Sequence, residues 1–272
     1  MIKAAVVGHP ITQSKSPIIH GHWLEKLGID GSYEAIDLAP ENFEQGIQNL
    51  REDGFAGCNV TVPHKEAAFA ICEQLTKRAE VIGAVNTLVF DGDHIRGDNT
   101  DCEGFIANVM FGAPDWNAGS GPALVLGAGG AGRGVVYALL EAGVPEIILA
   151  NRTRGRAESL AADFSGVHVC DWDDARHAVG SVGLIVNTTA LGMIGQPELD
   201  LSMEGLRSST VVTDIVYNPL ETTLLKNARA KGGIGVDGLG MLLHQAVPGF
   251  EAWFGKRPEV TSDLRKKIEA AL

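Results

Sequence analysis

The sequence predicts an α/β protein of two domains, and three observations carry that reading. Residues 123–236 alternate short apolar runs rich in Val, Ile and Leu with helical stretches, the pattern of a parallel sheet covered by helices. A glycine-rich turn, Gly127 to Gly132, joins one such run to the helix after it. A turn-rich stretch, Gly112 to Pro122, separates this regular half from a more mixed one before it.

The chain has 272 residues, 45% of them hydrophobic and 21% charged, enough for one large domain or two ordinary ones with a substantial core. Its formal charge of −12 disfavours nucleic acid and anionic lipid as partners. An anionic small molecule stays admissible, because a few local cations can dominate a pocket. Cys58, Cys72, Cys102 and Cys170 form no Cys-x-x-Cys pair, so zinc and thioredoxin-type chemistry have no support. Free thiols suit a reducing compartment, and a cytoplasmic location is expected. The apolar start MIKAAVV is too short for a secretory signal. Residues 121–144 carry only Arg133 and Glu141 as charges, yet five glycines break the run into strand, loop and helix, which argues against a membrane span.

Taken in order, residues 2–8 read as a buried strand. Ser16-Pro17 opens a helix that stops at Gly28. A strand at 32–38, a helix at 41–52 ended by Gly54 and a strand at 55–61 follow. Val62-Pro63 opens a helix through Lys65, and strands at 85–90 and 94–97 flank the turn Asp91-Gly92-Asp93. After a helix at about 102–111, strands are expected at 123–127, 146–150, 167–170, 183–187, 211–215 and 234–236. Helices are expected at 130–142, 155–163 and 221–231. Two helices, 239–253 and 261–271, close the chain. In the second, Leu264, Ile268 and Leu272 make an apolar stripe that needs a surface, expected on the first domain. The domains are read as 1–101, completed by 239–272, and 102–238.

The segment LVLGAGGAGRG fits strand, Gly-x-Gly-x-x-Gly, helix, with Gly127, Gly129 and Gly132 in register. Gly127 permits the tight turn, Gly129 lets backbone approach a pyrophosphate, and Gly132 lets the helix pack on the strand. The helix N-terminus then faces the phosphates. This makes residues 102–238 a Rossmann-like dinucleotide-binding domain. The next strand ends at Asn151-Arg152-Thr153, where an NAD site usually carries an acid. Arg152, with Arg156 one turn on, suits a 2′-phosphate instead, so NADP is the expected cofactor.

In the first half, Ser14 and Ser16 stand just before a helix start, a plausible carboxylate site, although Ser16 as a simple helix cap explains the pattern equally well. Lys65 falls in the first turn of a helix, where the macrodipole disfavours a cation and a nearby carboxylate would offset this. GAVNT and GDNTD each place Asn-Thr at a strand end, so Asn86 and Asp101 can face one cleft, or can simply serve turns.

Together, SKSPIIH, GCNVTVPHK, GAVNT, GDNTD, GAGGAGR, NRT, DIVYNP and GLGMLLHQ resemble the shikimate dehydrogenase family over nearly the whole chain. The resemblance implies an N-terminal α/β substrate domain, a Rossmann-like NADP-binding domain and C-terminal helices packed back on the former. It implies reversible NADPH-dependent reduction of 3-dehydroshikimate to shikimate, a step of chorismate and aromatic amino acid biosynthesis. Lys65 and Asp101 would form the catalytic pair. Ser14 and Ser16 would bind the substrate carboxylate, and Thr61, Asn86, Tyr217 and Gln245 its ring oxygens, with Asp101 also on a ring hydroxyl. Gly127, Ala128, Gly129, Gly130 and Ala131 would carry the pyrophosphate. Asn151, Arg152, Thr153 and Arg156 would hold the adenosine phosphate end, and Ile215, Gly238 and Met241 would border the nicotinamide. No metal is expected. Cys102 departs from the family's usual Gly after the catalytic Asp. A quinate or quinate/shikimate dehydrogenase is the near alternative, and a non-catalytic NADP-binding regulator the distant one. A homodimer is an admissible assembly.

Overall fold

A computed structural model describes all residues, 1–272. The chain divides into two compact units: Met1–Asp101 with Leu243–Leu272, and Cys102–Leu242.

The first unit opens with β1 (Ile2–Gly8), α1 (Ser16–Leu27), β2 (Gly31–Asp37), α2 (Phe43–Glu52), β3 (Phe55–Val60) and α3 (Lys65–Ala70). It continues through β4 (Gln74–Leu75), α4 (Lys77–Ile82), β5 (Thr87–Asp91) and β6 (His94–Asp98). The sheet order is β2-β1-β3-β5-β6-β4. Strands β1, β2 and β3 are parallel, and the hairpin β5–β6 adds antiparallel to β3. Pro17 lies in the first turn of α1, and Gly28 ends that helix in the left-handed region at φ 62. The helix expected from Val62-Pro63 is α3, which starts later, at Lys65; β4 and α4 are too brief to leave a periodic trace in the sequence, and α4 starts on Thr76, whose hydroxyl accepts from Ala79 N–H.

The two faces of this sheet differ. One buries Ala5, Val7, Cys58, Val60 and Leu88 against Phe43, Ile47 and Leu50 of α2, an all-apolar layer. Strand alternation puts Ala4, Gly57, Asn59 and Thr87 on the other. That face meets α1, whose Trp23 is 1% exposed, and the returning chain.

The second unit runs α5 (Asp101–Gly112), β7 (Ala123–Leu126), α6 (Gly130–Glu141), β8 (Ile147–Ala150), α7 (Arg154–Ala161) and β9 (Val167–Cys170). Then come α8 (Ala175–Ala178), β10 (Leu184–Asn187), β11 (Val211–Asp214), α9 (Thr223–Ala230), β12 (Ile234–Val236) and α10 (Leu239–His244). All six strands are parallel in the order β12-β11-β10-β7-β8-β9. The strand order reverses between β7 and β10, the switch point where doubly wound sheets bind ligands beyond the strands' carboxyl ends. Leu124, Leu126, Ile185, Val212, Leu224 and Leu225 belong to its core.

The tail differs from the expected single helix at 239–253. It breaks at Gln245 into α10 and α11 (Ala246–Phe254). Pro248 has no N–H to give the His244 carbonyl, so the regular helical bond is missing there. Helix α11 and the last helix, α12 (Ser262–Glu269), pack on the first unit. Trp253 donates its indole N–H to Leu88 O at 2.9 Å, and Trp23 donates to Glu259 O at 3.0 Å. Leu264 and Ile268 are fully buried, whereas Leu272, beyond the helix end, stays 37% exposed.

Candidate functional site

In the first unit, the carboxyl ends of β1, β3 and β6 and the start of the antiparallel β5 lie at one edge of the sheet. Each presents one predicted residue or more. The loop after β1 carries Ser14 and Ser16, and is held to β2 by Asp37, which accepts Ile11 N–H at 3.2 Å and meets His9 Nδ1 at 2.6 Å. Ser16 makes no side-chain cap of α1. Its own N–H is taken by Ser14 Oγ at 3.3 Å. The capping explanation for Ser16 therefore fails.

Thr61 and Lys65 follow β3. His64, buried beside Phe43, places a ring nitrogen 2.7 Å from Leu38 O, and Lys65 O accepts Val85 N–H at 2.9 Å. The backbone at Lys65 is thus pinned on both sides. Lys65 Nζ donates to Asp101 Oδ2 at 2.6 Å, with the two side chains 32% and 28% exposed. Asn86 Nδ2 donates to Asp101 Oδ1 at 2.8 Å. Asp101 opens α5, where the helix dipole favours an anion, and the anion offsets the cost of an ammonium at the start of α3. The result is a half-buried ammonium–carboxylate pair that can hold a proton next to an anionic centre. Gln245 also lies in this unit, its carbonyl accepting the Thr100 hydroxyl at 2.8 Å.

The second unit holds the glycine loop at its switch point. Gly127 has φ 110, and a Cβ there would lie 2.6 Å from Thr188 Oγ1. A Cβ on Gly132 would lie 2.3 Å from Gly127 O, so α6 packs on β7 only without one. Gly129 and Gly130 are exposed and a Cβ would meet nothing within 4 Å, leaving the backbone at the start of α6 open. No side chain caps that helix. The free N–H groups at its start fit a pyrophosphate. Asn151 ties this loop to the end of β8, its Oδ1 accepting Ala128 N–H at 3.1 Å and its Nδ2 donating to Thr153 O at 2.9 Å. Of the three arginines after β8, Arg154 is engaged by Glu158 and Asp171. Arg152 and Arg156 are exposed without an acidic partner, leaving two guanidinium groups for a phosphate dianion.

Ile215 and Tyr217 sit on the loop after β11. Gly238 lies against this loop: a Cβ there would be 2.5 Å from Ile215 O. Met241 follows in α10. Tyr217 thus belongs to the nucleotide-type unit, although the resemblance groups it with Asn86 and Thr61 among the ring-binding residues. Burial pushes its phenol up from the usual value. Cys102 packs inside the same unit, with Sγ donating to Gly134 O at 3.3 Å, which gives the family departure a packing role.

Sequence reasoning missed the residues that shape these loops. Asp214 is fully buried; it accepts Val216 N–H, Asn187 Nδ2 and the Thr222 hydroxyl at 2.8 to 2.9 Å. Thr188 donates to Leu126 O at 2.9 Å beside Gly127. The signal available was a polar residue ending an apolar strand, VVTD and LIVN.

These features define the class: an α/β protein with a doubly wound sheet of the dinucleotide-binding type and a second α/β unit that carries an ammonium–carboxylate pair. Three family profiles match the chain in order. They are the shikimate dehydrogenase substrate binding domain at residues 6–88, shikimate/quinate 5-dehydrogenase at 115–216, and the shikimate 5′-dehydrogenase C-terminal domain at 238–265. Shikimate dehydrogenase (NADP(+)) of Roseobacter denitrificans is 53% identical over 267 residues, covering 97% of this chain and 96% of the relative. That of Methylobacterium radiotolerans is 56% identical, covering 99% and 97%. The structure of shikimate 5-dehydrogenase from Thermus thermophilus in complex with NADP(H) and shikimate superposes with a TM-score of 0.89 at 39% identity, covering all of both chains. Quinate dehydrogenase from Corynebacterium glutamicum in complex with NAD gives 0.90 at 31% identity, covering 99% of each. The chain belongs to the shikimate dehydrogenase family.

Proposed function

We propose that the chain catalyses the reversible NADPH-dependent reduction of 3-dehydroshikimate to shikimate. The observation that carries this reading is the Lys65–Asp101 ion pair at 2.6 Å, with Asn86 on the second carboxylate oxygen, in a chain more than half identical to NADP-dependent shikimate dehydrogenases. Residues 1–101 with the C-terminal helices act as the substrate domain, and the doubly wound unit as the NADP domain. Ser14 and Ser16 bind the substrate carboxylate. Thr61, Asn86, Tyr217 and Gln245 bind ring oxygens. Gly127 to Ala131 hold the pyrophosphate; Asn151, Arg152, Thr153 and Arg156 hold the adenosine phosphate; Ile215, Gly238 and Met241 border the nicotinamide.

Bound NADPH supplies the hydride. The Lys65 ammonium faces the ketone oxygen, stabilises negative charge as it develops there, and donates a proton. Asp101 holds Lys65 in place and accepts a ring hydroxyl. In the reverse direction the same pair receives the proton of the substrate hydroxyl.

NADP⁺ reduction is measured with shikimate and then with quinate, and both again with NAD⁺. Shikimate with NADP⁺ should give the highest kcat/KM. Higher kcat/KM with quinate or NAD⁺ selects a quinate-type enzyme, and tight NADPH binding without turnover of either acid overturns the catalytic reading.

A further inference from the structure

From the α1/α11 face of the first sheet, where Tyr33, Asn59 and Thr87 lie, a continuous hydrogen-bonded line runs through Asn86 to Asp101. Tyr33 Oη donates to Asn59 Oδ1 at 2.6 Å. Asn59 Nδ2 donates to Asn86 O at 3.2 Å and to Thr87 Oγ1 at 3.1 Å. Thr87 Oγ1 donates to Asn86 Oδ1 at 3.0 Å, and Asn86 Nδ2 donates to Asp101 Oδ1 at 2.8 Å. Asn59, Asn86 and Thr87 are at most 5% exposed, and Tyr33 is 9% exposed. Asn59 and Thr87 are direct register partners across β3 and β5.

The line runs in one direction. The Asn86 backbone carbonyl can only accept, so it fixes which end of the Asn59 amide is NH₂. Asn59 Oδ1 must then take a donor, and Tyr33 supplies it. Thr87, having accepted from Asn59, has one proton to give. Asn86 Oδ1 at 3.0 Å is nearer than Thr100 Oγ1 at 3.2 Å. Thr100 N–H, a group that can only donate, also points at Asn86 Oδ1, at 2.8 Å. The Asn86 amide is therefore locked with its oxygen inward and its NH₂ toward Asp101, so what it can offer a ligand is a donor. The Tyr33 ring is held flat against His20, centroids 3.8 Å apart and planes 3° apart. A buried polar line of this kind is costly unless every member is satisfied, and a satisfied one holds a single geometry.

We infer that Tyr33, Asn59 and Thr87 are positioning residues: through Asn86 they set the Asp101 carboxylate, and with it Lys65, for hydride-coupled proton transfer. All three are buried and reach the Lys65–Asp101 pair only through Asn86. The inference rests on the proposed shikimate dehydrogenase activity.

The test is the kcat and KM of shikimate oxidation for wild type, Thr87→Val, Thr87→Ser, Tyr33→Phe and the Thr87→Val/Tyr33→Phe double variant, with thermal unfolding of each. Thr87→Val and Tyr33→Phe should each lower kcat about tenfold or more, since small misplacement of a reacting group suffices for that, with KM for NADP⁺ unchanged. Thr87→Ser, which keeps the hydroxyl, should stay within about twofold of wild type. Because both removals break one line, the double variant should lose little more than the worse single one. Single variants at wild-type kcat, a Thr87→Ser enzyme as slow as Thr87→Val, or losses that multiply in the double variant would overturn the inference while a wild type active on shikimate keeps the functional reading. A wild type inactive on shikimate overturns both.

Discussion

Replacing Asp214 with Asn should stabilise the second unit at neutral pH, and the gain should vanish in acid. Asp214 ends β11 fully buried, with three neutral donors and no cation. Those donors favour the carboxylate, but burial outweighs them and pushes Asp214 from 3.8 up to about 6. That rise corresponds to about 3 kcal/mol at most. Between about pH 4 and 6 the native state holds this proton more tightly than the unfolded chain, so stability falls as pH rises through that window. Below it both states are protonated and the cost is absent. Asn keeps the shape, retains Oδ1 for Val216 and Asn187, and turns an N–H toward the Thr222 oxygen. The stability of the variant minus that of wild type should be near zero at pH 4, climb between pH 4 and 6, and level off about 2–3 kcal/mol in favour of the variant. Asp37, Glu73 and Asp98 are held below the usual carboxylate range in both proteins, so their opposite slope cancels in the difference. Urea unfolding at a series of pH values, read by amide exchange in β10 and β11, measures this. A flat difference, or one that grows toward acid, refutes the reasoning.

Two further contrasts separate packing from binding. Gly132→Ala should destabilise by about 1–3 kcal/mol, because its Cβ meets the Gly127 carbonyl at 2.3 Å, whereas Gly129→Ala should stay within about 1 kcal/mol of wild type yet raise KM for NADP⁺; urea titration and kinetics check both. Arg152→Ala should cut kcat/KM for NADP⁺ about 10- to 100-fold while leaving NAD⁺ use unchanged, and Arg154→Ala, whose guanidinium is already paired with Glu158 and Asp171, should change neither.

The nucleotide unit was readable because its signals are local. Strand-helix alternation, Gly127 at positive φ and Gly132 in close approach all follow from residues a few positions apart. The first unit was harder. Ser14, Lys65, Asn86 and Asp101 look like caps and turn residues one at a time, and only the shared motif order joined them before the sheet edge did. The break at Gln245 was missed although Pro248 announces it, because the apolar pattern continues across it. Asn59, Thr87 and Asp214 were missed for another reason. A polar residue inside an apolar strand tells of a buried partner but not of which one: Tyr33 and Thr87 reach Asn59, and Asn187 reaches Asp214, from other strands.

The most direct measurement is the kcat of Lys65→Ala for shikimate with NADP⁺, set beside its KM. Loss of the ammonium should lower kcat by about 10²- to 10⁴-fold, with KM for shikimate moving only a few-fold. A variant that turns over near the wild-type rate would remove Lys65 and its partner Asp101 from the chemical step and leave the ion pair a structural feature.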